Sequence, residues 1–183
     1  MQEDSPMDGL IKSFRKLKSP LQNESGISAV EVGATMLVFL IALFAVAEMG
    51  WFFVHQNTLT SAVREGIRVG TVGATSVDGD GNTLSREDSI KQAIQDSAAS
   101  VMDINPSDIF IFPVDADWTD PDDPAVVGTA SAGGAGAFMR VRVNFTHQFF
   151  TQLIGGFFGS GNSIVMSSEG TYRNENFILG GGS

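Results

Sequence analysis

The chain has no cysteine among its 183 residues. That absence excludes a disulfide scaffold, a cysteine-ligated zinc or iron–sulfur site, a thiol nucleophile and a lipidated cysteine anchor. Positive charge is scarce as well: 11 Lys and Arg stand against 21 Asp and Glu, for a net charge of −10. Nucleic-acid binding needs clustered Lys and Arg against phosphates, so nucleic acid is not expected as a partner. The two histidines, His55 and His147, stand in neither an H-E-x-x-H helix nor a recognisable triad. His55 fits an interfacial position and His147 a strand end. The glycine-rich segments lack the Lys-Ser/Thr of a phosphate loop, and G-x-G-x-x-G does not occur. Without a positioned acid, base or nucleophile, the chain reads as a structural or interaction protein and not as an enzyme.

What is present is a long apolar run near the N-terminus. No residue from Val32 to Ala47 is charged, and between Ile27 and Val54 the only charges are Glu31 and Glu48. A spanning helix needs about 20 largely apolar residues. Trp51, Phe52 and Phe53 follow at once, as an interfacial aromatic belt would. Residues 12–18 read K-S-F-R-K-L-K, and after the run no Lys or Arg occurs until Arg64. The positive-inside rule then places the N-terminus in the cytoplasm and the C-terminal bulk outside. A cleaved secretory signal would carry a shorter apolar run followed by a small-x-small site, whereas here the residues that follow are bulky and aromatic.

Glu31 lies inside the apolar stretch, five residues after Gly26 in S-G-I-S-A-V-E-V-G-A. A carboxylate on a lipid-facing helix costs roughly 3 kcal/mol, so such acids usually have a partner and a role. Two readings stand. The side chain can snorkel to the headgroups. Alternatively, a cut between Gly26 and Ile27 would create an α-ammonium that pairs with Glu31 of a neighbouring helix, setting axial register between subunits.

The order of these pieces resembles the N-terminus of a type IV pilin-like subunit: a basic leader, a glycine, a glutamate five residues later and an uninterrupted apolar helix. The closer resemblance is to the TadE-like minor pilins (pseudopilins) of the tight-adherence, or Flp, pilus system. It rests on Gly26, Ala29, Val30 and Glu31, then Glu48-Met49-Gly50, then Ala62-Val63-Arg64-Glu65-Gly66-Ile67-Arg68. The resemblance implies a prepilin peptidase that cuts after Gly26, leaving Ile27 as the first residue. It implies as partners other pilin or pseudopilin subunits, that peptidase, the inner-membrane assembly platform and the membrane itself. It implies a role in assembling a pilus used for adherence. Glu48, Arg64, Glu65, Gly66 and Arg68 become candidate helix contacts; Arg64, Glu65 and Arg68 also fit a solvated or head-facing helix side. Three alternatives remain: a membrane-anchored adhesin or sensor that is never processed, a type II secretion pseudopilin, and a major pilin.

The expected organisation is a leader over 1–26, a transmembrane and spine helix over 27–73 and an exported head over 74–183. Leu59, Ala62, Val63, Gly66, Ile67 and Gly70 recur at helical spacing. Ser85, Asp88 and Leu84 mark the start of a second helix that runs to about Met102. Strands are expected at 109–114, at 138–145 with Phe138 flipped by a bulge, and at 163–172. The fold class is therefore α+β: a long helix, a further helix and a three-stranded antiparallel sheet. The stretch 116–136 reads as a long acidic, then small-residue, loop, and 146–162 as a Phe- and Gly-rich connection that closes the core or meets a partner subunit. No cofactor is expected. Weak candidates for calcium are Asp78, Asp80 and Asn82, which imitate half of a calcium loop, and the cluster Asp115, Asp117, Asp120, Asp122 and Asp123.

Overall fold

The computed structural model describes residues 24–158 and 161–176. The basic leader segment 12–18, the G-G-G-S tail and the side chains of Phe157 and Phe158 lie outside the described residues. The chain divides into two compact units, Met1–Ala45 and Val46–Ser183.

Helix α1 runs over Glu24–Val72. It starts three residues before the expected Ile27, so Gly26 and Ile27 lie within its first turns. Extending a helix that already exists adds one hydrogen bond per residue fixed, and Glu24 and Ser25 tolerate it. Its C-terminus is a Schellman motif. Gly73 adopts φ 68°, its N–H donates to Gly70, and the Ala74 N–H donates to Val69. A side chain at Gly73 would be strained in that left-handed backbone.

In the first unit the apolar side chains of α1 are exposed, with Val30 at 74% and Phe39 at 59%. Leaving such side chains in water forgoes about 1.5–3 kcal/mol each. With a mean hydropathy of 2.4 over its most apolar window, the helix is long and apolar enough to cross a membrane.

In the second unit α1 acquires a buried seam at Glu48, His55, Leu59, Ala62, Val63, Gly66, Val69 and Gly70. The three- and four-residue spacing is that of one helix face. Helix α2, Arg86–Ala98, is capped by Ser85, whose side chain accepts from the Asp88 N–H. Ile90, Ile94 and Ala98 bury its apolar stripe. Strands β1 (Ile109–Pro113), β2 (Phe138–Gln148) and β3 (Ser163–Arg173) form an antiparallel sheet in the order β1-β2-β3. The α+β architecture is as expected. Met139, Val141 and Val143 of β2, Ile111 of β1 and Met166 and Tyr172 of β3 join α1 and α2 in one core.

Several details differ from expectation. Phe138 is not displaced by a bulge: it pairs directly with Arg173 in an unbroken ladder. It belongs to the outer face with Arg140 and Arg142, where the Trp118 ring meets it edge-on at 5.6 Å. Strand β2 continues three residues past the expected end, because β3 pairs with it as far as Gln148↔Ser163. The loop over 116–136 contains a short helix α3, Pro124–Gly128, started by an Asp123 cap and a proline in the first turn. The 146–162 connection contains another, α4, Gln152–Phe158.

Candidate functional site

Gly26, Ile27 and Glu31 lie together on the first turns of α1, all exposed. Ser28, Glu31, Val32, Thr35, Met36 and Phe39 line one shallow, mostly apolar groove along that face. The Glu31 carboxyl thus sits among apolar side chains that fill no core of their own. A buried opposite charge from another helix would satisfy it.

The other acid between Ile27 and Val54, Glu48, behaves differently. It is 2% exposed and its carboxylate accepts the backbone N–H of Phe150 at 2.5 Å. It therefore ties the loop after β2 to α1. Two turns along the same seam, His55 meets His147 of β2, Nδ1 to Nδ1 at 2.8 Å, with both rings buried. One nitrogen must donate and the other accept, so at least one ring is neutral. Phe145 stands edge-on to His55, while Phe52 and Phe149 stand edge-on to His147. Burial lowers the His147 pKa from its ordinary 6.5, and the Glu48 carboxylate pulls the other way. His147 Nε2 is buried with no hydrogen-bond partner, which also disfavours a charged ring.

The sequence signal for this cluster was available in part. Glu48 and His55 are seven residues apart and in phase with Leu59, Ala62 and Gly66, so they extend the apolar seam. Nothing local in the sequence links the two histidines, which lie 92 residues apart.

Farther along α1, Gly66 is buried against α2. A Cβ there would meet Ile94 Cγ1 at 2.5 Å and Cδ1 at 2.7 Å. Only a bare backbone lets the two helices approach this closely. Arg64 is exposed, and Arg68 pairs with Glu65 on the solvent side at 2.5 Å. Of the candidate contacts on this turn, then, Gly66 touches the head core, while Arg64, Glu65 and Arg68 help line an open groove between α1 and α2 with Ser97 and Asp96. Arg86 joins α1 to the loop after α3: its guanidinium donates to the carbonyls of Gly70 and Gly133 and to Asn174. A cation at the carbonyl end of α1 is also favoured by the helix dipole.

The candidate calcium residues are engaged in turns and ion pairs. Asp78 accepts the N–H groups of Asp80 and Asn82 and the Asn82 side-chain amide, an Asx-type turn. Asp115 accepts Asp117 and Thr119 in the same manner. Asp120 binds both Arg140 and Arg142, and Arg142 also binds Glu169 at 2.7 Å. The hydrogen bond from Arg142 holds the Asp120 carboxyl below the usual carboxylate range. Asp123 caps α3, and Asp117 and Asp122 are exposed. Among the described residues no three His, Asp or Glu side chains gather as a metal site requires.

No curated protein and no solved structure shows significant similarity to the chain. A family model does: residues 26–68, which begin at Gly26, carry Glu31 and Glu48 and end at Arg68, are similar to the family of TadE-like proteins.

Proposed function

We propose that the protein is a minor pilin-like subunit of a Tad-type pilus. It is inserted once in the inner membrane of a bacterium, with its N-terminus in the cytoplasm and its head outside. A prepilin peptidase removes the leader after Gly26, and the cleaved chain joins other pilin or pseudopilin subunits at the assembly platform, in support of adherence. The observation that carries this reading is the TadE-like match that starts at Gly26 and coincides with a helix long and apolar enough to cross a membrane. A helix whose apolar side chains are exposed all round needs lipid or other stems to cover it. Glu31 supplies the specificity: a carboxylate in that setting favours assemblies in which a neighbour's new α-ammonium reaches it.

The test separates insertion from assembly. Glu31→Ala in the native host is expected to leave the protein in the inner membrane and to reduce piliation sharply. Normal piliation with Glu31→Ala would overturn the register role.

A further inference from the structure

Two segments of the second unit carry no charge. Residues 49–63 of α1 contain no Asp, Glu, Lys or Arg, and neither do residues 143–168, which cover the far end of β2, α4 and the start of β3. All remaining charges after Glu48 lie in 64–142 and 169–175. The two uncharged segments are joined in space. His55 meets His147, Glu48 holds the Phe150 N–H, and the Trp51 and Phe150 rings lie 6.3 Å apart.

This same end of the head presents apolar side chains outward. Phe150 is 73% exposed and Val165 65%, and Phe53 of α1 is 57% exposed. Between Phe150 and Val165 the chain has no charged residue; its Thr, Gln, Ser and Asn hydrogen-bond without carrying charge, and the rest are Gly, Leu, Ile and Phe. Aromatic rings among uncharged polar residues, next to a candidate span, make up the composition of a membrane interface belt. Phe150 cannot retreat into the core without losing the bond that Glu48 makes to its N–H.

We infer that the head docks on the lipid surface through the loop after β2, with Phe150 inserted at headgroup level beside Trp51. The occupant is the bilayer interface because Trp51 and Phe53 follow the uncharged run Val32–Ala47 closely in sequence. The acidic parts of the head would be repelled by anionic lipid, whereas these two segments carry no acid. The head would then stand on the membrane before assembly and expose the patch when the subunit leaves the bilayer. The inference rests on the membrane insertion of α1 proposed above.

Single-tryptophan variants of the full chain test it. Trp118→Phe leaves Trp51 as the only reporter, Trp51→Phe leaves Trp118, and Trp51→Phe/Trp118→Phe/Phe150→Trp places the reporter at 150. Each is reconstituted in vesicles of phosphatidylethanolamine and phosphatidylglycerol. Quenching is measured with lipid spin-labelled high on the acyl chain and with aqueous iodide. The reporter at 150 is expected to be quenched by the spin-labelled lipid nearly as strongly as Trp51 and several-fold less by iodide than Trp118. If Trp51 is quenched by lipid and the reporter at 150 responds to iodide like Trp118, the docking fails while the membrane reading stands. If the reporter at 150 is shielded from both quenchers in an oligomeric sample, another subunit covers the patch and the docking fails. If Trp51 itself is not quenched by lipid, insertion and docking fail together.

Discussion

The close approach of α1 and α2 at Gly66 sets a quantitative expectation. Alanine in place of glycine in a helix interior gains about 1 kcal/mol from backbone propensity alone. Here the new methyl would fall 2.5 Å from Ile94 Cγ1 and 3.4 Å from Ile90 Cγ2, in a part of the core where both isoleucines are fully buried. Overpacking of that kind costs about 1–3 kcal/mol. Gly66→Ala should therefore destabilise the head by about 0–2 kcal/mol, the net of the two effects. Ile94→Ala alone leaves a cavity and should cost about 2–5 kcal/mol. In the double variant the methyl at 66 occupies part of that cavity. The combined loss should then fall short of the sum by about 1–2 kcal/mol, as expected for residues in contact. Urea unfolding of the full chain in detergent, followed by tryptophan fluorescence, reads all four proteins. Losses that add within about 0.5 kcal/mol would refute direct packing of Gly66 on Ile94.

Other expectations follow from the same contacts. Glu48→Ala removes the acceptor for the Phe150 N–H and should cost about 1–3 kcal/mol, seen as faster proteolysis within 149–162. Because burial lowers the His147 pKa, the unfolded chain binds more protons below the ordinary value of 6.5. Stability should thus fall as pH drops below that value, and the double variant His55→Leu/His147→Phe should flatten this limb; an unchanged limb would contradict it. Asp120 contributes at lower pH, since its stabilisation is present above the ordinary 3.8 and is lost as pH falls through its depressed folded value. Asp120→Asn should shrink that acid limb, measured by the same unfolding titration.

The elements that were legible in the sequence are those whose burial follows a local period. The seam of α1 and the alternation of β2 are written in consecutive residues, and the Ser85 cap sits next to the helix it starts. What escaped was set by partners distant in the chain. Phe138 breaks the expected alternation as an aromatic on the outer face, where Trp118 from the acidic loop covers it. Asp120, in the acidic loop, turns to Arg140 and Arg142 on β2. The His55–His147 contact depends on the far end of β2 reaching the middle of α1. Length and hydropathy disclose a stem, but only tertiary pairing discloses that Glu48 belongs to the head while Glu31 stands among exposed apolar side chains.

The most direct measurement is the N-terminal mass of the protein extracted from native membranes, with and without the prepilin peptidase. Cleavage by that enzyme gives a chain that begins at Ile27 when the peptidase is present and an intact leader when it is absent. An intact leader in both strains, on a monomeric protein, would contradict the pilus-subunit reading.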